Sequence, residues 1–325
     1  MLVVGENGAG KTNLLESLHV ATQGFSPRTR NDGQLIRFGE DAGSIALEGT
    51  RGRAPLSVRV NLSAGEAKRA TLNGARLASA EQLRREVATL VFTPDRLALV
   101  KGGPMSRRAY FDKALGRLAP AQATLPVEYG AVLGQRNAAL RRVSMGLSGR
   151  EALAPWTARA AELGALLVAA RVATLELLAA GFAERAGELG LPDAALDYEG
   201  EPPTTEQLEA RLARDVERGA TGLGPHLHDV RIRSGTRDLR SYGSQGEQRL
   251  SVLALLLAEA EVLAGRGQPP LLLLDDVLSE LDPGRRRTLA ERVALAGQTM
   301  ITATTAAALP IEPAQVVEVT PGSAR

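Results

Sequence analysis

Eight residues near the start of the chain, Gly5-Glu6-Asn7-Gly8-Ala9-Gly10-Lys11-Thr12, carry the spacing G-x-x-x-x-G-K-[ST]. Glycines at these positions let backbone amides converge on phosphate oxygens, and a helix beginning beside them adds a favourable dipole. In that arrangement Lys11 reaches the β and γ phosphates of a nucleoside triphosphate, the Thr12 hydroxyl ligates Mg²⁺, and Asn13 adjoins the cradle. Far along the chain, Leu271-Leu272-Leu273-Leu274 runs into Asp275-Asp276. Asp275 suits Mg²⁺, directly or through water, and Asp276 stands where a general base orients the attacking water. Lys11 and Asp276 are therefore the catalytic candidates, and Thr12 and Asp275 the metal candidates. Alone, the second segment would read equally well as a core strand entering an acidic turn.

Elements with the right geometry flank both motifs. The apolar stub Leu2-Val3-Val4 and the run Asn13 to Leu18 give the phosphate loop its strand and its helix, and the leucine run reads as a buried parallel strand. Ser241-Tyr242-Gly243-Ser244-Gln245-Gly246-Glu247-Gln248-Arg249 opens an apolar helix from Leu250 to Leu263. The chain of 325 residues is 44% hydrophobic and 23% charged, a globular balance that excludes a largely disordered chain. It holds no cysteine, so disulfides, thiolate metal sites and cysteine nucleophiles are excluded together, and the cytoplasm is the expected compartment. Leu163 to Phe182 is interrupted by Arg171 and Glu176, and Leu250 to Leu263 by Glu259 and Glu261, so buried amphipathic helices are expected and no membrane. No secretory leader is expected either, because the first residues run straight into the glycine-rich loop. With 39 Lys plus Arg against 37 Asp plus Glu, the net charge of +2 does not announce a nucleic-acid partner.

The order of the motifs matters more than any one of them. A phosphate loop, a Ser-x-Gly signature at a helix start, a strand ending in carboxylates and a following Ser279-Glu280-Leu281-Asp282 turn have the order of an ABC-type ATPase. In such proteins two subunits face head to tail, and each signature, here Ser244, Gln245, Gly246 and Glu247, caps the nucleotide held by the other subunit. Ser279 and Asp282 then form the D-loop. A plain helix cap is the alternative for the signature segment. Asp276 stands where many ABC ATPases have Glu, and Ile301-Thr302-Ala303-Thr304-Thr305 lacks the histidine of the transport type. Both departures predict slow turnover. ABC-type ATPases also carry a β segment upstream of the loop; four residues precede it here, so strands are expected to be missing from this sequence.

Between Lys11 and Ser244 lies an insert too long for a compact nucleotide-binding domain and too short for coiled-coil arms. Leu56 to Leu62 alternates, and Asn73-Gly74 signals a hairpin, so a β arm is expected. From about Ser106 to Gly219 the pattern is helical, interrupted by Pro120, Pro126, Pro155 and Pro192, with Glu199 to Thr205 as a loop. The expected fold is α/β: an ABC-type P-loop ATPase head with a β arm over 1–105 and 220–325, and an inserted, mainly helical lobe over 106–219.

Several segments together resemble the RecF family of bacterial recombinational repair. They are Gly5 to Leu15, Val91-Phe92-Thr93-Pro94-Asp95, Val100 to Pro104, Arg107-Arg108, Phe111-Asp112, Gly224-Pro225-His226, Ser244-Gln245-Gly246 and Leu274 to Asp282. The resemblance spans nearly the whole chain. The chain departs from it at Leu227-His228, where the family tends to read Arg-Asp, and Asp95 is the candidate for the Q-loop position. The resemblance implies ATP and Mg²⁺ as cofactors, ATP-dependent homodimerisation on DNA at gaps or single-strand to double-strand junctions, and work with RecR, and through it RecO and RecA. Phosphate-contacting candidates are Arg51, Arg53, Lys68 and Arg69 near the arm, then Arg84 and Arg85, Arg107 and Arg108, and Arg141 and Arg142. Rival readings are a nucleotide-dependent binding module or inactive remnant, and an ABC transporter ATPase; an SMC-type head would need long heptad arms.

Overall fold

The computed structural model describes residues 1–29 and 31–325; the side chain of Arg85 lies outside the description. Along the chain run β1 (Leu2–Val4), α1 (Lys11–Gln23), β2 (Ala42–Arg51), β3 (Ala54–Ser63), β4 (Arg69–Leu72), β5 (Ala75–Arg76) and β6 (Thr89–Phe92). There follow α2 (Pro104–Leu118), α3 (Leu125–Ser144), α4 (Ala154–Glu188), β7 (Ala194–Glu199), β8 (Asp229–Ser234), β9 (Arg237–Asp238) and α5 (Gln245–Gly265). The chain ends with β10 (Leu271–Leu274), α6 (Pro283–Leu295), β11 (Thr299–Ala303), β12 (Val316–Thr320) and β13 (Ser323–Ala324). Two compact units result. One holds Met1–Arg96, Glu188–Gly190 and Val252–Arg325, and the other Leu97–Gly187 and Leu191–Ser251. Residues 97–105 and 220–251 thus fall in the second unit, whereas the sequence pattern assigns them to the ATPase head.

The first unit is built on a six-stranded sheet in the order β13-β12-β1-β11-β10-β6. β12, β1, β11, β10 and β6 are mutually parallel, with β13 antiparallel at the edge. Continuous apolar runs suit strands covered on both faces, and Leu2, Val3, Leu272, Leu273 and Leu274 are fully buried. α1 is capped by Gly10 and by Gly24, whose φ of 75° lets its N–H close back on the Val20 carbonyl. Beside it β2, β3, β4 and β5 form an antiparallel sheet. Alternation decides its faces. Leu56, Val58, Val60 and Leu62 of β3 pack on Val20 and Ala21 of α1, while the residues between them face solvent. The β4–β5 hairpin turns at Asn73 and Gly74, with φ of 49° and 82°, as a two-residue turn with two left-handed residues requires.

The second unit holds α2, α3 and α4 and an antiparallel sheet, β7-β8-β9. That sheet is absent from the helical expectation, because a six-residue strand between a helix and a proline-rich loop leaves little periodicity. Pro126 and Pro155 occupy first-turn positions of α3 and α4, where a missing N–H costs nothing; they start helices rather than break them. α4 is long and apolar enough to cross a membrane by length and composition alone. Leu163, Leu167, Leu178 and Phe182 on it are buried, the first two packed with Leu115 and Tyr129. On the same helix Arg171 is 4% exposed; it grips both oxygens of Asp112, at 2.7 and 2.9 Å, and donates to the Pro225 carbonyl.

Buried polar contacts fix this unit. Arg136, fully buried, donates to Asp215 at 2.9 Å and to the Thr221 hydroxyl at 2.7 Å. Removing one partner of such a pair would strand the other's charge at a cost of about 3–5 kcal/mol. The Gly224 to Asp229 turn is tied from several sides: Tyr129 meets His226 at 2.8 Å, Tyr198 meets His228 at 2.9 Å, and Arg107 clamps Asp229. Burial first, then the neighbouring Arg171, His226 and Arg108, pushes His228 down from 6.5 to about 4; burial also lowers His226. A lowered histidine pKa makes the unfolded chain the better proton acceptor, so stability is full above pH 6.5 and falls as pH drops from 6.5 towards 4. Urea unfolding at pH 7, 6, 5 and 4.5 is expected to show that decline, and His228→Gln to make it shallower, with His226 contributing part of what remains. An acid slope unaltered by the substitution would show that the turn does not hold His228 neutral.

Candidate functional site

Because β1, β11, β10 and β6 are parallel, their C-terminal ends share one edge of the sheet, where the loops that follow them converge. The first of these loops, Gly5 to Gly10, is shaped by its glycines. A Cβ at Gly5 would overlap the Val319 carbonyl of β12, and Gly8 and Gly10 have φ of 84° and 109°. Lys11 folds back so that its ammonium donates to the carbonyls of Gly5 at 2.7 Å and Glu6 at 3.0 Å. Glu6, Asn7, Gly8 and Asn13 are exposed, and Ala9 is buried. The N-terminus of a 13-residue helix thus faces an open loop beside a positive charge, an arrangement that attracts anions.

Asp275 stands at the end of β10 with 5% of its surface exposed. Thr12 donates its hydroxyl to both Asp275 oxygens, at 2.9 and 3.1 Å, closing the phosphate loop against the acidic strand end. Thr302 of β11 donates to Asp275 Oδ1 at 2.7 Å and in turn accepts the Asp276 N–H at 2.9 Å. A hydroxyl and one carboxylate match the few protein ligands that Mg²⁺ takes when phosphates and water fill its shell. Asp276 is exposed and left-handed, φ 48°, and its carbonyl accepts from the Ser279 hydroxyl at 3.2 Å. Asp282 caps α6, accepting from the Arg285 N–H at 3.0 Å, and that bond holds its carboxyl below the usual range. Asp95 is exposed just beyond β6, whose Phe92 carbonyl accepts the Asp275 N–H.

In the second unit, Ser244 and Glu247 form a reciprocal cap on α5. The Glu247 N–H donates to Ser244 Oγ at 3.2 Å, and the Ser244 N–H to the Glu247 carboxylate at 2.8 Å. Arg237 adds a bond at 2.8 Å, and with the Ser244 amide it lowers the Glu247 carboxyl. Ser244, Gln245 and Gly246 are left exposed on the first turn, while buried Gln248 donates to the carbonyls of Leu239 and Gly243 behind them.

Residues 1–321 match the RecF/RecN/SMC N-terminal domain family. A DNA replication and repair protein RecF of Anaeromyxobacter dehalogenans strain 2CP-1 is 41% identical over 93% of this chain and 86% of its own. The RecF of Bacillus mycoides strain KBAB4 is 33% identical over 99% and 91%. The chain belongs to the RecF family. A solved structure of the recombination mediator protein RecF with ATP, in the RecFOR pathway, is 27% identical and superposes with a TM-score of 0.87 over 100% of this chain and 90% of that one. An SMC head bound to the C-terminal winged-helix domain of ScpA, 16% identical with a TM-score of 0.58 over 100% and 88%, shares the fold. The architecture is therefore that of a RecF and SMC head, an α/β P-loop ATPase fold with a helical lobe.

The basic candidates fare unevenly. Arg107 requires correction: it is 3% exposed, clamps Asp229 with two bonds of 2.7 Å, and donates to the carbonyls of Val100 and Gly102, so no solvent ligand reaches it. Arg108 donates to the His228 carbonyl at 2.5 Å. Arg51 pairs with Glu86, Lys68 with Asp32 and Arg69 with Glu66. Arg84 donates to the Gln23 carbonyl and lies over Phe25, and the Arg85 side chain is outside the described residues. Arg53, Arg141 and Arg142 are exposed. Thr302, read in the sequence only as part of a segment without a histidine, is the residue whose role was missed; its signal was a polar residue following Met300-Ile301 in a buried strand.

Packing of the loop against β12 is testable without any ligand. Gly5→Ala is expected to lower stability by about 1–3 kcal/mol through overpacking. Gly43→Ala in β2, whose new methyl meets nothing within 4 Å, should leave stability unchanged or slightly raised. Urea unfolding compares them, and equal stabilities would refute that packing.

Proposed function

We propose that this chain is an ATP-dependent DNA-binding protein of recombinational repair, a slow ATPase that works as a switch in the cytoplasm. The observation that carries the reading is the Thr12 hydroxyl 2.9 Å from Asp275, which joins the phosphate loop to the acidic strand end across 263 residues. Gly5 to Asn13 cradle the triphosphate, with Lys11 leaving the loop carbonyls for the β and γ phosphates. Thr12 and Asp275 hold Mg²⁺, and Thr302 fixes the Asp275 carboxylate. Mg²⁺, when bound, neutralises charge building on the phosphates. Asp276 orients the attacking water. The exposed Ser244 to Gly246 turn caps the triphosphate of a second copy, with Glu247 holding the turn's shape and Ser279 and Asp282 lying in the D-loop.

Support for slow turnover comes from the shorter Asp at 276 and from the end of β11 and the residue after it, Thr302-Ala303-Thr304, where a transport-type ATPase carries histidine. The ATP-bound RecF relative and the names of the curated relatives support ATP and DNA repair as the setting. Gapped or junction DNA, a homodimer, and a handover through RecR and RecO to RecA extend that reading.

Sedimentation with and without ATP, Mg²⁺ and gapped DNA tests it. The parent is expected to dimerise with ATP and to hold DNA. Lys11→Ala should lose ATP affinity; Asp276→Asn should keep it, stay dimeric longer and turn over at least tenfold more slowly. Ser244→Arg should bind ATP as a monomer. Dimerisation of Ser244→Arg at parent strength would overturn the trans cap, and parent turnover by Asp276→Asn would overturn the assignment of Asp276.

A further inference from the structure

Most of the basic side chains nominated near the β arm have acidic partners, so the cations free to meet a ligand must be sought elsewhere. Strand register finds them. Arg59 of β3 lies opposite Thr71 of β4, and Thr71 lies opposite Arg76 of β5. Residues directly opposite in an antiparallel sheet share a face, so Arg59, Thr71 and Arg76 form one row across three strands. In the adjoining row Asn61 lies opposite Arg69. The reverse face packs on α1 through Val58, Val60 and Leu72, which leaves this row on the outside. Arg59 and Arg76 are exposed, and neither guanidinium has a hydrogen bond or ion pair among the described residues. Their backbones stand about 10 Å apart, two strand spacings. Arg69 is bonded to Glu66, but with 63% and 58% of the two side chains exposed that pair is worth little and can exchange.

We infer that the outer face of the β2–β5 sheet, through Arg59, Arg76 and Arg69 with Thr71 and Asn61 between them, binds the phosphate backbone of duplex DNA. The inference rests on the DNA-binding reading above and gives it a surface. Guanidinium, hydroxyl and amide groups are the donors that phosphate oxygens take, and they carry no sequence information. The sheet holds no Phe, Tyr or Trp from Ala42 to Arg76, so unpaired bases would find no platform to stack on. A donor-rich face without aromatics fits a paired backbone. Glu48, opposite Ser57 on the same face, is the one acid among these strand residues, and it lies diagonal to Arg59.

The experiment measures binding of the full chain, with ATP and Mg²⁺, to a 30-base-pair duplex and to a single strand over a series of KCl concentrations. Arg59→Ala and Arg76→Ala are each expected to weaken duplex binding several-fold at 0.1 M salt and to reduce the slope of log K against log salt by about 1, whatever the sequence. Glu48→Gln should strengthen it, and Arg59→Lys should recover most of the loss. ATP binding and sedimentation of all four variants should match the parent, which separates this surface from the nucleotide switch. Parent-like duplex affinity and salt slope in Arg59→Ala/Arg76→Ala, while the parent binds duplex, would overturn this surface and leave the DNA-binding reading standing. Failure of the parent itself to bind any DNA would overturn both. A loss confined to the single strand would overturn the duplex assignment.

Discussion

Everything at the site depends on where β1 sits. Three residues from the start of the chain lie between β11 and β12 from its end, with Val3 opposite both Thr302 and Val317. Leu2 and Val3 are fully buried there, each adding about 1.5–3 kcal/mol of apolar burial to the ladder bonds on both sides. The insertion forces the loop after β1 to emerge at the same edge as Asp275 and Thr302. Without it Thr12 and Asp275 would be the ends of a 263-residue loop, and bringing them together would be opposed by chain entropy. Parallel pairing, rather than any contact between the motifs themselves, makes a single site of them.

Within that edge the hydroxyls set the geometry. Thr302 is wholly buried and cannot leave its oxygen unsatisfied, so it donates to Asp275 and accepts from the Asp276 amide. One side chain therefore orients the first carboxylate and pins the backbone of the second. The left-handed conformation of Asp276 follows: its amide is held towards β11 while the chain turns away to reach Val277 and Leu278, both buried. Aspartate tolerates that conformation better than most residues. A β-branched residue there would strain the turn even if its charge were irrelevant.

The sequence carried the phosphate loop, the leucine strand and the alternation of β3 openly, because each depends on local residue types at short spacing. The hairpin at Asn73-Gly74 was legible for the same reason: two left-handed residues leave few alternatives. Less was visible where meaning depends on partners far along the chain. Arg107 looked like a surface cation beside Arg108, whereas Asp229, 122 residues later, together with the Val100 and Gly102 carbonyls, holds it inside. β7 gave no period long enough to read, and the compact units divide at Arg96 and Ser251, positions with no marked change in composition.

The same dependence explains why net charge was uninformative. A total of +2 averages over cations whose circumstances are opposite. Arg136 and Arg171 are consumed in the interior, where each neutralises a carboxylate and holds a turn in place. Arg59 and Arg76 sit on a pleated face that alternation had already committed to solvent, with register aligning them in one row. Two like charges flanking a threonine gain nothing from each other, and Glu48, diagonal to Arg59, is the one acid among the strand residues of that sheet. Stability does not account for such a row. On the reading that this face meets duplex DNA, the attraction of the polyanion grows with each unpaired guanidinium while the sum over the chain stays near zero.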